Sequence, residues 1–205
     1  MTTARRTQAE RRANTMAKLV DATIDTIAEI GYHKASLGEI SSRAGISKGA
    51  IFRHFDSRID LVVAAADEVR RRHMAAVENL RLPENTGHPV DLADIMHLIR
   101  REVRDATNTV WLELFVAART EPELRERFEP VVRTLISEVE EIAVAALAPD
   151  VSPEVARLIA TSLIHMFDGE AIFRNTYPRP EMEAARIELI AAAFRSATAA
   201  NQLSS

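Results

Sequence analysis

"AGISKGAIFRHF", residues 44–55, places a glycine between two short apolar-patterned stretches, then a lysine and an arginine, with no acidic residue among them. Gly45 supplies the positive φ that a tight turn between two crossing helices favours. On the near side, Ser36 and Glu39 have the spacing of a capping box for a helix whose apolar residues are Leu37, Ile40 and Ala44. On the far side, Ser47 is a natural N-cap for a second helix. At about 100° per residue, Ile51 and Phe55 share an inward face and Gly49 and Arg53 project from the opposite one. Lys48, Ala50, Phe52 and His54 fall on the flanks. The pattern is helix, turn, helix, and such units lay their second helix in the DNA major groove. Small residues at 49 and 50 bring the helix backbone close to base edges, and Arg53 has the geometry for a bidentate contact to guanine. The N–H groups near Ser47 and Lys48 suit a phosphate.

Working outward, Met16, Leu19, Val20, Thr23, Ile24, Ile27 and Ile30 recur at helical spacing, and Gly31 ends that helix. Ser57, with Asp60 at the box position, opens a long fourth helix of about residues 57–80, lined by Leu61, Val62, Ala65, Val69 and Val77. The stretch 80–91, with two prolines and a glycine, is the clearest break. Helical patterns follow over roughly 90–106, 108–119, 121–148, 153–176 and 181–199. Pro130 is expected to kink or restart the third of these. No strand-like alternation persists, so the chain reads as all-α. Its expected parts are an N-terminal helix-turn-helix domain (residues 1–58), the linking fourth helix, and a larger helical domain (residues 82–205).

The composition is consistent with this. Residues 1–58 hold ten Lys/Arg against six Asp/Glu, whereas the remainder holds sixteen against twenty-four. A basic front on an acidic body suits a polyanionic partner. The absence of cysteine excludes disulfides, thiol nucleophiles and thiolate metal sites, and agrees with a cytoplasmic location. No stretch approaches the ~20 apolar residues of a membrane span.

Residues 19–62, "LVDATIDTIAEIGYHKASLGEISSRAGISKGAIFRHFDSRIDLV", resemble the DNA-binding domain of TetR-family transcriptional regulators. The match lies in Ala22, "GY" at 31–32, Ser36 with "EI" at 39–40, "AGISKGAIFRHF" and "SRIDL". The resemblance implies that Ser36, Ser47 and His54 bind phosphate and that Lys48, Gly49 and Arg53 face bases. Arg58 stands where the family usually has lysine and is expected to reach phosphate. Phe52 replaces the usual tyrosine and so lacks its hydroxyl. Arg5, Arg6, Arg11 and Arg12 read either as a solvated arm or as minor-groove contacts.

Residues 82–205 carry no Gly-rich phosphate loop, no G-x-S-x-G and no H-E-x-x-H, so neither an enzyme nor a cofactor is expected. Asp94/His97 and His165/Asp168 each set a carboxylate one turn from an imidazole, a spacing that suits either a divalent metal or ordinary polar residues. By resemblance, this region encloses a mostly apolar effector cavity, with Met96, His97, Asn108, Trp111, Phe115, Arg119 and His165 as candidates. The segment 153–176 is apolar on most sides. By resemblance it pairs with the last helix in a four-helix homodimer interface, with Ile159, Leu163, Met166, Phe167, Phe173, Ile187, Ile190 and Phe194 as candidates. The implied function is a ligand-responsive regulator, a repressor that leaves near-palindromic operator DNA on binding a small effector. An all-α enzyme or carrier, and an activator, are the alternatives.

Overall fold

The computed structural model describes residues 7–79, 91–147 and 150–202. Arg5, Arg6 and nearly all of the 80–91 break lie outside them. The regular elements among the described residues are all helices, with no strand among them. The helices are α1 (Gln8–Ile30), α2 (Leu37–Ala44), α3 (Lys48–Ile51), α4 (Arg58–Asn79) and α5 (Leu92–Val103). After a 3-10 turn (Ala106–Asn108) come α6 (Thr109–Ala118), α7 (Pro122–Leu147), α8 (Pro153–Arg174) and α9 (Pro180–Gln202).

α1 begins well before Met16. Thr7 accepts from the Glu10 N–H at 3.2 Å while Glu10 accepts from the Thr7 N–H at 2.7 Å, a complete capping box. Arg11 and Arg12 therefore belong to a helix rather than to a loose arm. The polar members of its buried face are satisfied locally: the hydroxyls of Thr23 and Thr26 donate to the carbonyls of Leu19 and Ala22. Gly31 closes the helix with φ 81°, donating to the Ile27 carbonyl at 2.9 Å. α7 is not restarted by Pro130; the helix runs unbroken from Pro122 to Leu147. The proline removes one backbone donor, which a helix 26 residues long tolerates.

The chain forms two compact units that do not follow a single boundary. In the first, the residues up to Arg72 join Ala106–Val132, so α6 and the start of α7 pack with the N-terminal helices. The second combines His73–Asp105 with the residues from Arg133 onward. Its core sets Leu92 and Met96 of α5 against Leu163 and Phe167 of α8 and Ile187 and Ala191 of α9. Burying each large apolar side chain contributes about 1.5–3 kcal/mol.

That core takes up three of the residues expected at a dimer face. Leu163, Phe167 and Ile187 are buried inside their own chain, and Ile159, Met166, Ile190 and Phe194 pack against the same cluster. The physical reason is α5, whose apolar stripe covers Leu163, Phe167 and Ile187, while Ile159, Met166, Ile190 and Phe194 stay partly exposed. Phe173 alone of the expected set stands well exposed, at 72 %, joined by Leu158, Ile172, Met182 and Leu189.

Beside this core lies a buried charge cluster. Glu170 accepts from a terminal nitrogen of Arg100 at 3.2 Å, from Arg104 at 2.6 Å and from Arg186. Glu183 accepts from Arg104 at 2.6 Å, and its carbonyl accepts from Arg100. The Arg100 guanidinium also lies 5.2 Å from the Phe167 ring.

Candidate nucleic-acid interface

α2, the Gly45 turn and α3 are fixed by local bonds. Ser36 accepts from the Glu39 N–H at 3.2 Å, as expected of an N-cap. The return half of the capping box is replaced: the Ser36 N–H donates to the Lys34 carbonyl at 2.7 Å. Gly45 adopts φ 65°, ψ 30°, the left-handed region, and nothing would obstruct a Cβ there. Backbone conformation alone therefore asks for glycine. The turn is closed by the Ile46 N–H on the Ser41 carbonyl (3.1 Å) and by the Ser41 hydroxyl on the Ile46 carbonyl (2.6 Å).

Ser47 caps α3, accepting from the Ala50 N–H at 3.3 Å. The α-helix is shorter than its pattern suggested. After Ile51 two bonds tighten to i→i+3, from the Arg53 N–H to Ala50 and from the His54 N–H to Ile51, before Phe55 returns to the Ile51 carbonyl. The inward anchors survive this tightening: Ile40, Ile51 and Phe55 are all buried. Lys48, Gly49, Phe52 and Arg53 are exposed, and Ala50 and His54 are half-buried. The Nδ1 atom of His54 is buried without a hydrogen-bond partner, so that edge of the ring is turned away from solvent. The Lys48 Nζ lies 3.3 Å from where a Cβ on Gly38 would be, so the ammonium sits over the first turn of α2. Among the described residues neither Lys48 nor Arg53 is held in an ion pair, whereas Arg43 and Arg72 are committed to Glu29 and Asp21.

Arg58 must be reassigned. Its Nε donates to the Ala35 carbonyl at 2.8 Å, and its terminal nitrogen donates to the Tyr32 carbonyl. Its guanidinium carbon lies 4.3 Å from the Tyr32 ring centroid. It ties the start of α4 to the loop before α2 rather than standing free for a phosphate. Its partners are backbone carbonyls 23 and 26 residues away, which no local pattern announces. Two acidic residues also escaped the sequence reading. Glu113 accepts from the Tyr32 N–H at 2.9 Å, and Glu121 accepts from the Tyr32 hydroxyl at 2.6 Å. Burial, and then the bond to Glu121, push the Tyr32 phenol above its usual range, so it remains a donor.

The effector candidates are divided between the units. Asn108, Trp111, Phe115 and Arg119 belong to the first and Met96, His97 and His165 to the second. In the first, Trp111 packs 5.0 Å from the Phe128 ring and 5.8 Å from that of Phe115. Its indole N–H is buried with no hydrogen-bond partner among the described residues. Phe115 is exposed by 42 % and Arg119 is exposed, while Asn108 is buried. Met96 is wholly enclosed by its own core, which makes it packing in this state rather than an accessible wall. His97 and His165 are exposed. Among the described residues no three His, Asp or Glu side chains converge as metal ligands, so the Asp94/His97 and His165/Asp168 pairs do not assemble a site there.

A capped helix, a left-handed glycine turn and a second short helix with an unpaired lysine and arginine outward define a helix-turn-helix DNA-binding protein. Residues 19–65 match the family model for bacterial regulatory proteins of the tetR family, and residues 92–199 match that for the C-terminal part of BetI-type transcriptional repressors. The chain belongs to the TetR family of transcriptional regulators, which are not enzymes. It is 37 % identical over 188 residues to an uncharacterised HTH-type transcriptional regulator of Mycobacterium tuberculosis, covering 91 % of this chain and 96 % of that one. A transcriptional regulator from Rhodococcus sp. Rha1 shares the fold with a TM-score of 0.71 at 24 % identity, covering 89 % and 96 % of the two chains. The regulator FadR of Bacillus subtilis, solved in complex with stearoyl-CoA, does so with a TM-score of 0.62 at 18 % identity, covering 85 % and 97 %. No helix among the described residues is long and apolar enough to cross a membrane.

Proposed function

We propose that the chain is a homodimeric, ligand-responsive repressor that acts in the cytoplasm. It would hold a near-palindromic operator through two helix-turn-helix units and release it on binding a small, mostly apolar effector. The observation that carries this reading is the exposed, unpaired Lys48–Gly49–Arg53 face beyond a glycine-closed turn. Two copies would reach successive major grooves ~34–36 Å apart. The exposed Leu158, Ile172, Phe173, Met182 and Leu189 of α8 and α9 support association with a second copy, since such side chains are costly to leave in water. The Trp111, Phe115 and Phe128 rings, with one unsatisfied indole donor among them, support an apolar effector bearing a hydrogen-bond acceptor. The stearoyl-CoA seen in the Bacillus subtilis neighbour is in keeping with an apolar ligand. An effector that lowers DNA affinity must itself bind more weakly to the DNA-bound dimer.

The test is Arg53→Ala. It is expected to cost ~1–3 kcal/mol on a selected operator and to relax the preference at one base position. Titration by fluorescence anisotropy on the operator and on a scrambled duplex measures both. Equal losses on the two would remove Arg53 from base reading.

A further inference from the structure

Every polar group of Tyr32 is committed, and each commitment leads away from the helix-turn-helix. Its N–H donates to Glu113 of α6, and its hydroxyl donates to Glu121 just ahead of α7, partners 81 and 89 residues along the chain. Its carbonyl accepts from Arg58 of α4. Gly31 lets the Glu113 carboxylate lie against the backbone, since a Cβ there would stand 3.3 Å from Oε2. Four residues after Tyr32, Ser36 caps α2, and the Gly45 turn passes that orientation on to α3.

We propose that Glu113 and Glu121 are positioning residues for DNA reading: they pin the loop at Tyr32, and so fix where α2 and α3 stand before DNA arrives. This rests on the DNA-binding reading and adds to it two side chains with no cationic character. On charge alone, two carboxylates in the unit that meets a polyanion oppose binding. Their contribution is geometric. Apparent affinity falls with the fraction of molecules in the competent arrangement, and the pair of bonds at Tyr32 keeps that fraction near one. Carboxylate acceptors make the stronger kind of hydrogen bond, so losing one is enough to be seen.

The experiment uses the full chain, a labelled duplex that it selects from a random pool, and a scrambled duplex of equal composition, read by anisotropy at fixed salt. Glu121→Ala and Tyr32→Phe are each expected to weaken operator binding about tenfold, the loss of one charge-assisted bond. The double variant should be no weaker than either single one, because both remove the same bond. Glu121→Gln keeps an acceptor without the charge and should fall between wild type and Glu121→Ala, about threefold weaker than wild type. Affinity for the scrambled duplex should hold or rise. A purely electrostatic role gives the opposite sign, with Glu121→Ala and Glu121→Gln both tightening binding. Operator affinity at or above wild type in Glu121→Ala, additive losses in the double variant, or a glutamine variant as weak as the alanine one would each overturn the proposal. Should Glu121→Ala fail to fold, Tyr32→Phe keeps the ring under Arg58 and decides alone, an unchanged operator affinity being the overturning result. A wild-type chain that enriches no duplex would sink the DNA-reading assignment itself, before any variant is made.

Discussion

The two units bury polar groups by contrasting means. In the first, single bonds are dispersed: threonine hydroxyls onto carbonyls of α1, a serine onto the carbonyl across the Gly45 turn, one arginine onto two loop carbonyls. In the second, three arginines and two glutamates are gathered in one cluster at the junction of α5, α8 and α9. A dispersed arrangement loses little when one member goes. A cluster built around one buried carboxylate is coupled, and removing Glu170 leaves the buried Arg100 without its counter-charge.

The sharpest way to break this contrast is Glu170→Ala, which removes the carboxylate that Arg100, Arg104 and Arg186 share. It is expected to cost about 3–5 kcal/mol, read by chemical denaturation followed by far-ultraviolet circular dichroism. A cost below 1 kcal/mol would mean that the cluster is open to water and no more demanding than the first unit. Next comes Arg58→Ala, expected to cost ~2 kcal/mol for two bonds from a charged donor and a ring contact. Because Arg58 is turned inward, the slope of operator affinity against salt should stay near that of wild type, whereas a phosphate contact would lower it by roughly one.

The smallest effect belongs to Glu183. Burial works against its charge, but the Arg179 backbone N–H and the Arg104 guanidinium hold its carboxyl below the usual carboxylate range. A lowered folded value means that its contribution is fully present above the unfolded value and is lost as pH falls through the folded one. Glu183→Gln should therefore lower stability modestly at pH 7 and converge on wild type at acid pH, which flattens the acid limb of the stability profile, and urea midpoints across pH 3–7 measure it.

How much of this was legible follows from the range of each interaction. The α2–turn–α3 unit could be read because its determinants are local: Ser36, Gly45 and Ser47 act within three or four residues of themselves. The box at Thr7 and Glu10 is equally local, but the apolar pattern that marks α1 starts only at Met16. The role of Arg58 and the acceptors at Tyr32 depend on partners tens of residues away. The apolar stripes of α8 and α9 were recognised, but a stripe does not say what covers it. α5 claimed Leu163, Phe167 and Ile187, leaving Leu158, Phe173 and Leu189 outside.

Trp111 has a use beyond packing. It is the only tryptophan in the chain and sits wholly in the first unit, shielded by Phe115 and Phe128. An indole so shielded emits at shorter wavelength than one in water, so its red shift on heating records the loosening of the first unit alone. Circular dichroism sums the helices of both. If the chain unfolds as one cooperative body the two melting curves superimpose. Any lag between them gives, from a natural chromophore and without a label, the temperature interval over which one unit is lost while the other persists.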